Sequence, residues 1–190
     1  MNLSANYFEL FGLPVRFALD KVALDKAYRD LQAQVHPDRF AHADAAEQRV
    51  SMQKATRANE AYNALRKPLS RARYFLELHG VDLGTESNTA MPAEFLIEQM
   101  EWREAVEEAR LGGDHHELET LHRRVGSELD GRYAALGVLL DADSLPLSQG
   151  DSLRSQENRH DAALEVRKLM FLEKLLQDID DAIAELDEKM

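Results

Sequence analysis

The chain contains no cysteine, which excludes disulfides and thiolate ligation of a metal or cluster. No apolar run approaches the roughly 20 residues needed to cross a bilayer. The N-terminus, Met1-Asn2-Leu3-Ser4-Ala5-Asn6, has neither a signal-peptide core nor an Arg-rich transit segment. A cytoplasmic protein of bacterial type is therefore expected, with no membrane partner. Strand-like alternation is missing at any useful length, so an all-α fold is expected. A phosphate-cradling glycine-rich loop is missing too, and with it any sign of an intrinsic ATPase. Carboxylate pairs such as Asp180-Asp181 and Glu107-Glu108 are too common in an acidic chain to mark an acid–base couple.

What is present is charge, unevenly spread. The formal net charge is −12, yet residues 1–80 hold 12 Lys or Arg against 9 Asp or Glu, and residues 81–190 hold 11 against 26. The two halves should attract different partners, although such asymmetry can also serve solubility alone. A net acidic chain without a basic, aromatic-interleaved tract argues against nucleic acid as the main ligand.

Leu24, Ala27, Tyr28, Leu31 and Val35 recur at helical spacing with one apolar stripe, and Asp20 can cap that helix. It should end about His36, because Pro37 lacks an N–H and disfavours helical geometry in the residue before it. Asp44 and Glu47 have capping-box spacing. Val50, Ala55, Ala58, Ala61, Tyr62 and Leu65 then supply apolar positions until Pro68. Two antiparallel helices joined by a short polar turn are expected, with His36-Pro37-Asp38 in that turn. A short helix, Leu69 to Leu78, should follow and stop at Gly80. Residues 80–92 are rich in turn formers and read as a linker. Beyond it come helical patterns over about 93–111, 115–140 and 155–188, broken by Gly112-Gly113 and by a loop from Asp141 to Leu153. The expected domains are 1–79 and a three-helix bundle over 93–190.

Three ordered segments make the N-terminal part specific: Asn6-Tyr7-Phe8-Glu9-Leu10-Phe11-Gly12-Leu13, the His36-Pro37-Asp38 turn, and Asn59-Glu60-Ala61-Tyr62-Asn63-Ala64-Leu65. Together they resemble a J domain, the module of DnaJ-type co-chaperones. Arg71-Ala72-Arg73-Tyr74, Leu78-His79-Gly80-Val81-Asp82-Leu83, the run Phe95 to Glu104 and Val166 to Leu172 narrow this to the HscB family, the J-type co-chaperones of iron–sulfur cluster assembly. The resemblance implies a protein with no catalytic site and no cofactor of its own. It also implies two partners, the DnaK-class ATPase HscA and the scaffold IscU, and a monomer or weak homo-oligomer. Eukaryotic relatives often carry a cysteine-containing N-terminal extension, which this chain lacks.

For the first partner, Pro37 limits the conformations of the turn and Asp38 offers an exposed acceptor that an arginine can pair with bidentately. Such a contact can favour the partner's hydrolysis-competent state, since a ligand shifts an equilibrium only through differential affinity. Lys21, Asp25, Lys26, Arg29 and Gln32 should lie on the exposed side of the preceding helix, with Arg39 just after the turn. The family resemblance implies that His36, Pro37, Asp38, Arg39, Lys26 and Arg29 face an acidic groove of the ATPase. Family members often have Lys where Arg39 stands.

The helix beginning near Phe95 is apolar on two faces. Phe95, Trp102, Val106 and Ala109 form one stripe suited to a core; Leu96, Ile97 and Met100 form another, continued by Glu101, Glu104 and Glu108. The second resembles a docking surface more than a solvated face, although Leu96 or Met100 could instead contact the J domain or flank the core. On the last helix Leu169, Leu172, Leu176, Ile179, Ile183 and Leu186 should share the core stripe, with Phe171 about 100° away, either a core-edge aromatic or part of a surface. The resemblance implies that Leu96, Ile97, Met100, Glu101, Glu104, Glu108 and Phe171 bind IscU. Met is common in the family at position 97 and Leu at 100, swaps that keep apolar volume.

His115, Glu119 and His122 have spacing that could face one metal, but a solvated helix start is the expected role, and no metal site is assigned. His116-Glu117 with His122 is not a zinc-protease arrangement, because the histidines are six apart. The rivals to the co-chaperone reading are a J-domain adaptor for a different client and, further off, a metal-binding or hydrolytic helical protein.

Overall fold

In the computed structural model, which describes residues 2, 4–83, 91–142 and 152–188, every regular element is helical. The first helix, α1 (Tyr7–Leu10), is a single turn and survives because it is capped reciprocally: the Asn6 side chain accepts the Glu9 N–H while the Glu9 carboxylate accepts the Asn6 N–H. Its Phe8 is fully buried. In α2 (Lys21–Val35) the Asp20 carboxylate accepts from the N–H groups of Val22 and Ala23. His36 then leaves helical geometry at ψ 129°, as a residue before proline should. Residues Pro37–Phe40 form a 3-10 turn, and α3 (Ala45–Arg66) starts from the Asp44 carboxylate, which accepts from Ala46 and Glu47.

The face that α3 turns inward carries small residues, Ser51, Ala55, Ala58 and Ala61, and ends in Leu65. Small side chains let α2 lie close, so Tyr28 of α2 stacks on Tyr62 of α3 with ring centroids 4.1 Å apart. Val50 does not join this stripe. It is exposed, and the neighbouring Ser51 takes the buried position. Helix α4 (Pro68–Leu78) starts one residue earlier than expected, with Pro68 in the first helical position where its missing N–H costs nothing.

The C-terminal part is built on two long antiparallel helices, α6 (His115–Ala142) and α7 (Ser152–Asp187), with α5 (Ala93–Gly112) packed against both. At 1.5 Å per residue α7 is about 54 Å long and α6 about 42 Å. Leu118, Leu121, Val125, Leu129, Leu136 and Leu140 from α6 meet Val166, Leu169, Leu172, Leu175, Ile179 and Ala182 from α7, all buried. Each such leucine contributes about 1.5–3 kcal/mol of transfer free energy. The α7 stripe is displaced from the expected one: Leu175 and Ala182 are buried, whereas Leu176, Ile183 and Leu186 are only half-buried. Asp141 belongs to α6, and Ser152 and Leu153 to α7. Ala142 also belongs to α6, while residues 143–151 of the expected loop lie outside the described residues, as does most of the expected linker, residues 84–90.

The two parts share one apolar cluster, running from Phe8, Phe17 and Phe75 through Leu136 and Leu140 to Leu169. Phe17, in the segment between α1 and α2, lies against Gly137 of α6. Its backbone is gripped on both sides: the Asp141 carboxylate accepts the N–H groups of Phe17 and Ala18 at 3.0 Å, and the Arg71 Nε donates to the Phe17 carbonyl at 2.8 Å. The same guanidinium donates to the Leu65 carbonyl at 2.7 Å and lies 5.0 Å over the Phe17 ring. Burial lowers the Arg71 pKa from its ordinary value, and the nearby Asp141 charge opposes that shift. Farther along, Arg167 of α7 donates to the Leu83 carbonyl at 3.1 Å. Val81 and Leu83, within the expected linker, pack on the common core.

Candidate functional site

Two surfaces, one on each part, bring the expected residues together. At the first, the chain turns sharply and donors are reassigned. The Asp38 N–H donates to His36 Nδ1 at 3.3 Å, and the Arg39 N–H donates to the His36 carbonyl at 3.1 Å. The Asp38 carboxylate projects outward with its side chain 90% exposed, 3.5 Å from His36 Nδ1. That nitrogen is engaged by a backbone N–H, and the exposed carboxylate stays available to an outside donor. A carboxylate held on a proline-restricted turn loses little freedom on pairing, which favours recognition of a planar cation.

Lys26 and Arg29 are exposed on α2, and Lys26 forms an i,i+4 pair with Asp30 at 2.6 Å. Exposed pairs of this kind exchange readily with solvent and partners. Asp25 and Gln32, by contrast, turn toward α3 rather than outward. Tyr62 donates its hydroxyl to Asp25 at 2.9 Å, and Gln32 donates to the Asn59 side-chain oxygen, which also accepts from Tyr28 at 2.9 Å. The hydrogen bond to Asp25 raises the Tyr62 pKa above its ordinary value, and burial adds to the rise. Arg39 is engaged as well, its guanidinium donating to the Ala33 carbonyl at 2.7 Å.

The second surface lies on α5 beside α7. Leu96, Ile97 and Met100 are 44%, 58% and 71% exposed, and none of them belongs to the core cluster or to the side chains packed against it. Phe95, Val106 and Ala109 on the opposite face are buried and Trp102 is half-buried, which divides the helix as its periodicity implies. Glu101, Glu104 and Glu108 are exposed along the apolar patch. Phe95 fixes the start of the helix. Its ring meets Phe171 of α7 edge to face at 6.0 Å, and it lies 5.3 Å beneath Arg132 of α6 and 5.8 Å from Lys168 of α7. Those cations are themselves held, Arg132 by Glu128 and Glu165 and Lys168 by Glu165. Phe171 is half-buried with Arg103 stacked 4.7 Å over its face, and so is at once a core-edge aromatic and part of the surface.

Two histidines of α6 serve the helix pair. His115 Nε2 lies 3.2 Å from Asp187 and its Nδ1 3.7 Å from Glu119, while His122 Nε2 lies 3.1 Å from Asp180. Among the described residues no group of three potential ligands is placed to hold a metal ion. Nor is any helix among them long and apolar enough to cross a membrane.

Several residues that hold the surfaces in place were not singled out from the sequence. Ser51 donates its hydroxyl to the Val35 carbonyl at 2.8 Å, and Gln48 donates to the carbonyls of Ala41 and Ala43 at 3.2 and 3.0 Å. Ser51 lies four residues before Ala55, so helical spacing alone would have placed it on the buried stripe. Arg103 and Asp141 had no comparable signal, because their partners lie far away in sequence.

The chain resembles known proteins over its full length. A family model described as the HSCB C-terminal oligomerisation domain matches residues 91–180. A co-chaperone protein HscB homolog of Aromatoleum aromaticum is 52% identical over 190 residues, covering 98% of each chain. The homolog of Burkholderia thailandensis is 49% identical, covering 98% of this chain and 99% of that one. Among solved structures, chaperone HscB from Vibrio cholerae is 34% identical with a TM-score of 0.77, covering 96% of this chain and 99% of that one. The crystal structure of the human co-chaperone protein HscB is 26% identical with a TM-score of 0.80, covering 95% and 83%. With the His-Pro-Asp turn exposed at one end and an apolar, acid-lined helix face at the other, the chain belongs to the HscB family of co-chaperones.

Proposed function

We propose that this protein stimulates the ATPase of the DnaK-class chaperone HscA and delivers the scaffold IscU to it, assisting the maturation of iron–sulfur proteins. It does so by binding, with no catalytic chemistry of its own. The N-terminal part acts as a J domain, in which Asp38 pairs with a cation of the ATPase while Lys26 and Arg29 face an acidic groove. The patch of Leu96, Ile97, Met100 and Phe171, with Glu101, Glu104 and Glu108 beside it, takes IscU.

The observation that carries this reading is the exposure of Leu96, Ile97 and Met100 on a helix whose other face already fills the core. An apolar cluster of this kind beside carboxylates suits a partner with apolar anchors and basic flanks. The test is HscA turnover in the presence of this chain and IscU. Wild type should raise it and Asp38→Ala should not; equal turnover with and without the wild-type chain would end the proposal. If HscA responds but IscU adds nothing, the chain is a J-domain adaptor for another client.

A further inference from the structure

The C-terminal end of α2 poses a problem of unsatisfied acceptors that the His-Pro-Asp sequence itself creates. In an α-helix each N–H serves the carbonyl four residues earlier. Pro37 has no N–H, so the Ala33 carbonyl loses its donor. The Asp38 N–H is given to His36 Nδ1 and the Arg39 N–H to the His36 carbonyl, so the carbonyls of Gln34 and Val35 lose theirs. Unpaired acceptors at a helix end are costly when buried. Two of the three are recaptured by side chains: Ala33 by the Arg39 guanidinium at 2.7 Å and Val35 by the Ser51 hydroxyl at 2.8 Å. Gln34 is exposed.

Ser51 is the more telling of the two. Among the described residues it is the single polar residue that is buried, at 2% exposure, on a stripe that continues through three alanines to Leu65. A fourth alanine would pack there as well and carry better helix propensity. The hydroxyl has one use in this structure, which is to hold the last carbonyl of α2 immediately before the His36-Pro37-Asp38 turn. One helical turn earlier on α3, Gln48 holds the far side of the same loop through the carbonyls of Ala41 and Ala43.

We infer that Ser51 and Arg39 are positioning residues for the His36-Pro37-Asp38 turn, a two-point clamp on the end of α2 that fixes the direction in which Asp38 is presented. This rests on the proposed role of that turn in stimulating the ATPase. It gives Arg39 a function inside the molecule, through its bond to the Ala33 carbonyl, in place of a purely external contact.

The test uses the full chain, isotopically labelled, with Ser51→Ala, Ser51→Thr, Arg39→Gln and Arg39→Lys. Backbone amide resonances of Asp38 and Arg39 are recorded in the free protein, alongside IscU affinity and the plateau and half-maximal concentration of HscA stimulation. Ser51→Ala should move both resonances and weaken stimulation about fivefold, the scale of one lost hydrogen bond, with IscU affinity unchanged. Ser51→Thr, which keeps the hydroxyl, should restore most of the loss. Arg39→Gln should also move the resonances in the absence of any partner, and Arg39→Lys should do so less. Unmoved resonances with wild-type stimulation in Ser51→Ala would overturn the proposal. Unmoved resonances in Arg39→Gln would reduce Arg39 to a partner contact and overturn the clamp. Should Ser51→Ala fail to fold, the exposed Arg39→Gln variant decides alone. If wild type fails to stimulate HscA, or Asp38→Ala stimulates equally, the functional reading falls, and the resonances still decide whether the clamp exists.

Discussion

Asp38 keeps its carboxylate in water while its backbone N–H closes the turn, so side chain and main chain do separate jobs at one residue. Removing the side chain should therefore cost the fold almost nothing. Asp38→Ala is expected to change stability by no more than about 0.5 kcal/mol in a thermal or denaturant melt, while HscA stimulation disappears. A comparable drop in stability would make Asp38 a structural residue instead. This turn was legible in the sequence because proline, a helix stop and a charged turn residue are all local signals. The Ser51 bond to Val35 was less legible, since it joins residues 16 apart across two helices. Arg39 read as a cation for the groove of the ATPase, because its acceptor, the Ala33 carbonyl, is a main-chain group that sequence does not distinguish.

At the scale of elements, α5 is the decisive one, because its two apolar faces have different destinations. The separation of Phe95, Val106 and Ala109 from Leu96, Ile97 and Met100 followed from 100° per residue alone. On α7 the same arithmetic erred. Leu175 and Leu176 are adjacent and equally apolar, so periodicity cannot choose between them; packing against α6 chooses Leu175 and Ala182. In titrations with IscU, Leu96→Ala combined with Phe171→Ala should weaken binding by at least about tenfold, as loss of two central apolar contacts does. Leu96→Ala alone should leave the melt nearly unchanged because the side chain is already exposed, whereas Phe171→Ala should also lower stability by about 1 kcal/mol through its lost contact with Phe95. Unchanged affinity in the double variant would mean that the patch is not the binding surface. Reversing charge at Glu104 with Lys should slow association more than it speeds dissociation.

At the scale of the whole molecule, the joint around Phe17 makes one body of two parts. Helix order was readable from stops and stripes, whereas the joint was not, because Phe17 meets Gly137, Arg71 and Asp141, residues 54 or more positions away in sequence. Phe17→Ala should cost about 3–5 kcal/mol and loosen the N-terminal part from α6. Tyr133 of α6 belongs to the same region: burial, reinforced by its hydrogen bond to Glu173 of α7, raises its pKa well above the ordinary value of 10.0. A phenol that holds its proton more tightly when folded favours the native state fully below about pH 10, and that stability is lost as pH rises from there toward the folded value. Tyr133→Phe should therefore flatten the loss of stability above pH 10 in alkaline melts, while an unchanged slope would assign that loss elsewhere.

The central claim is that one molecule carries both ends, so that the ATPase trigger and the client arrive together. It is tested by HscA turnover with IscU and a mixture of two variants, Asp38→Ala and the Leu96→Ala, Phe171→Ala double. Each is defective at one end and intact at the other. The expected result is that the mixture fails to reach the joint stimulation given by wild type with IscU at equal total concentration. Full stimulation by the mixture would contradict the account, because the two surfaces would then work without being joined.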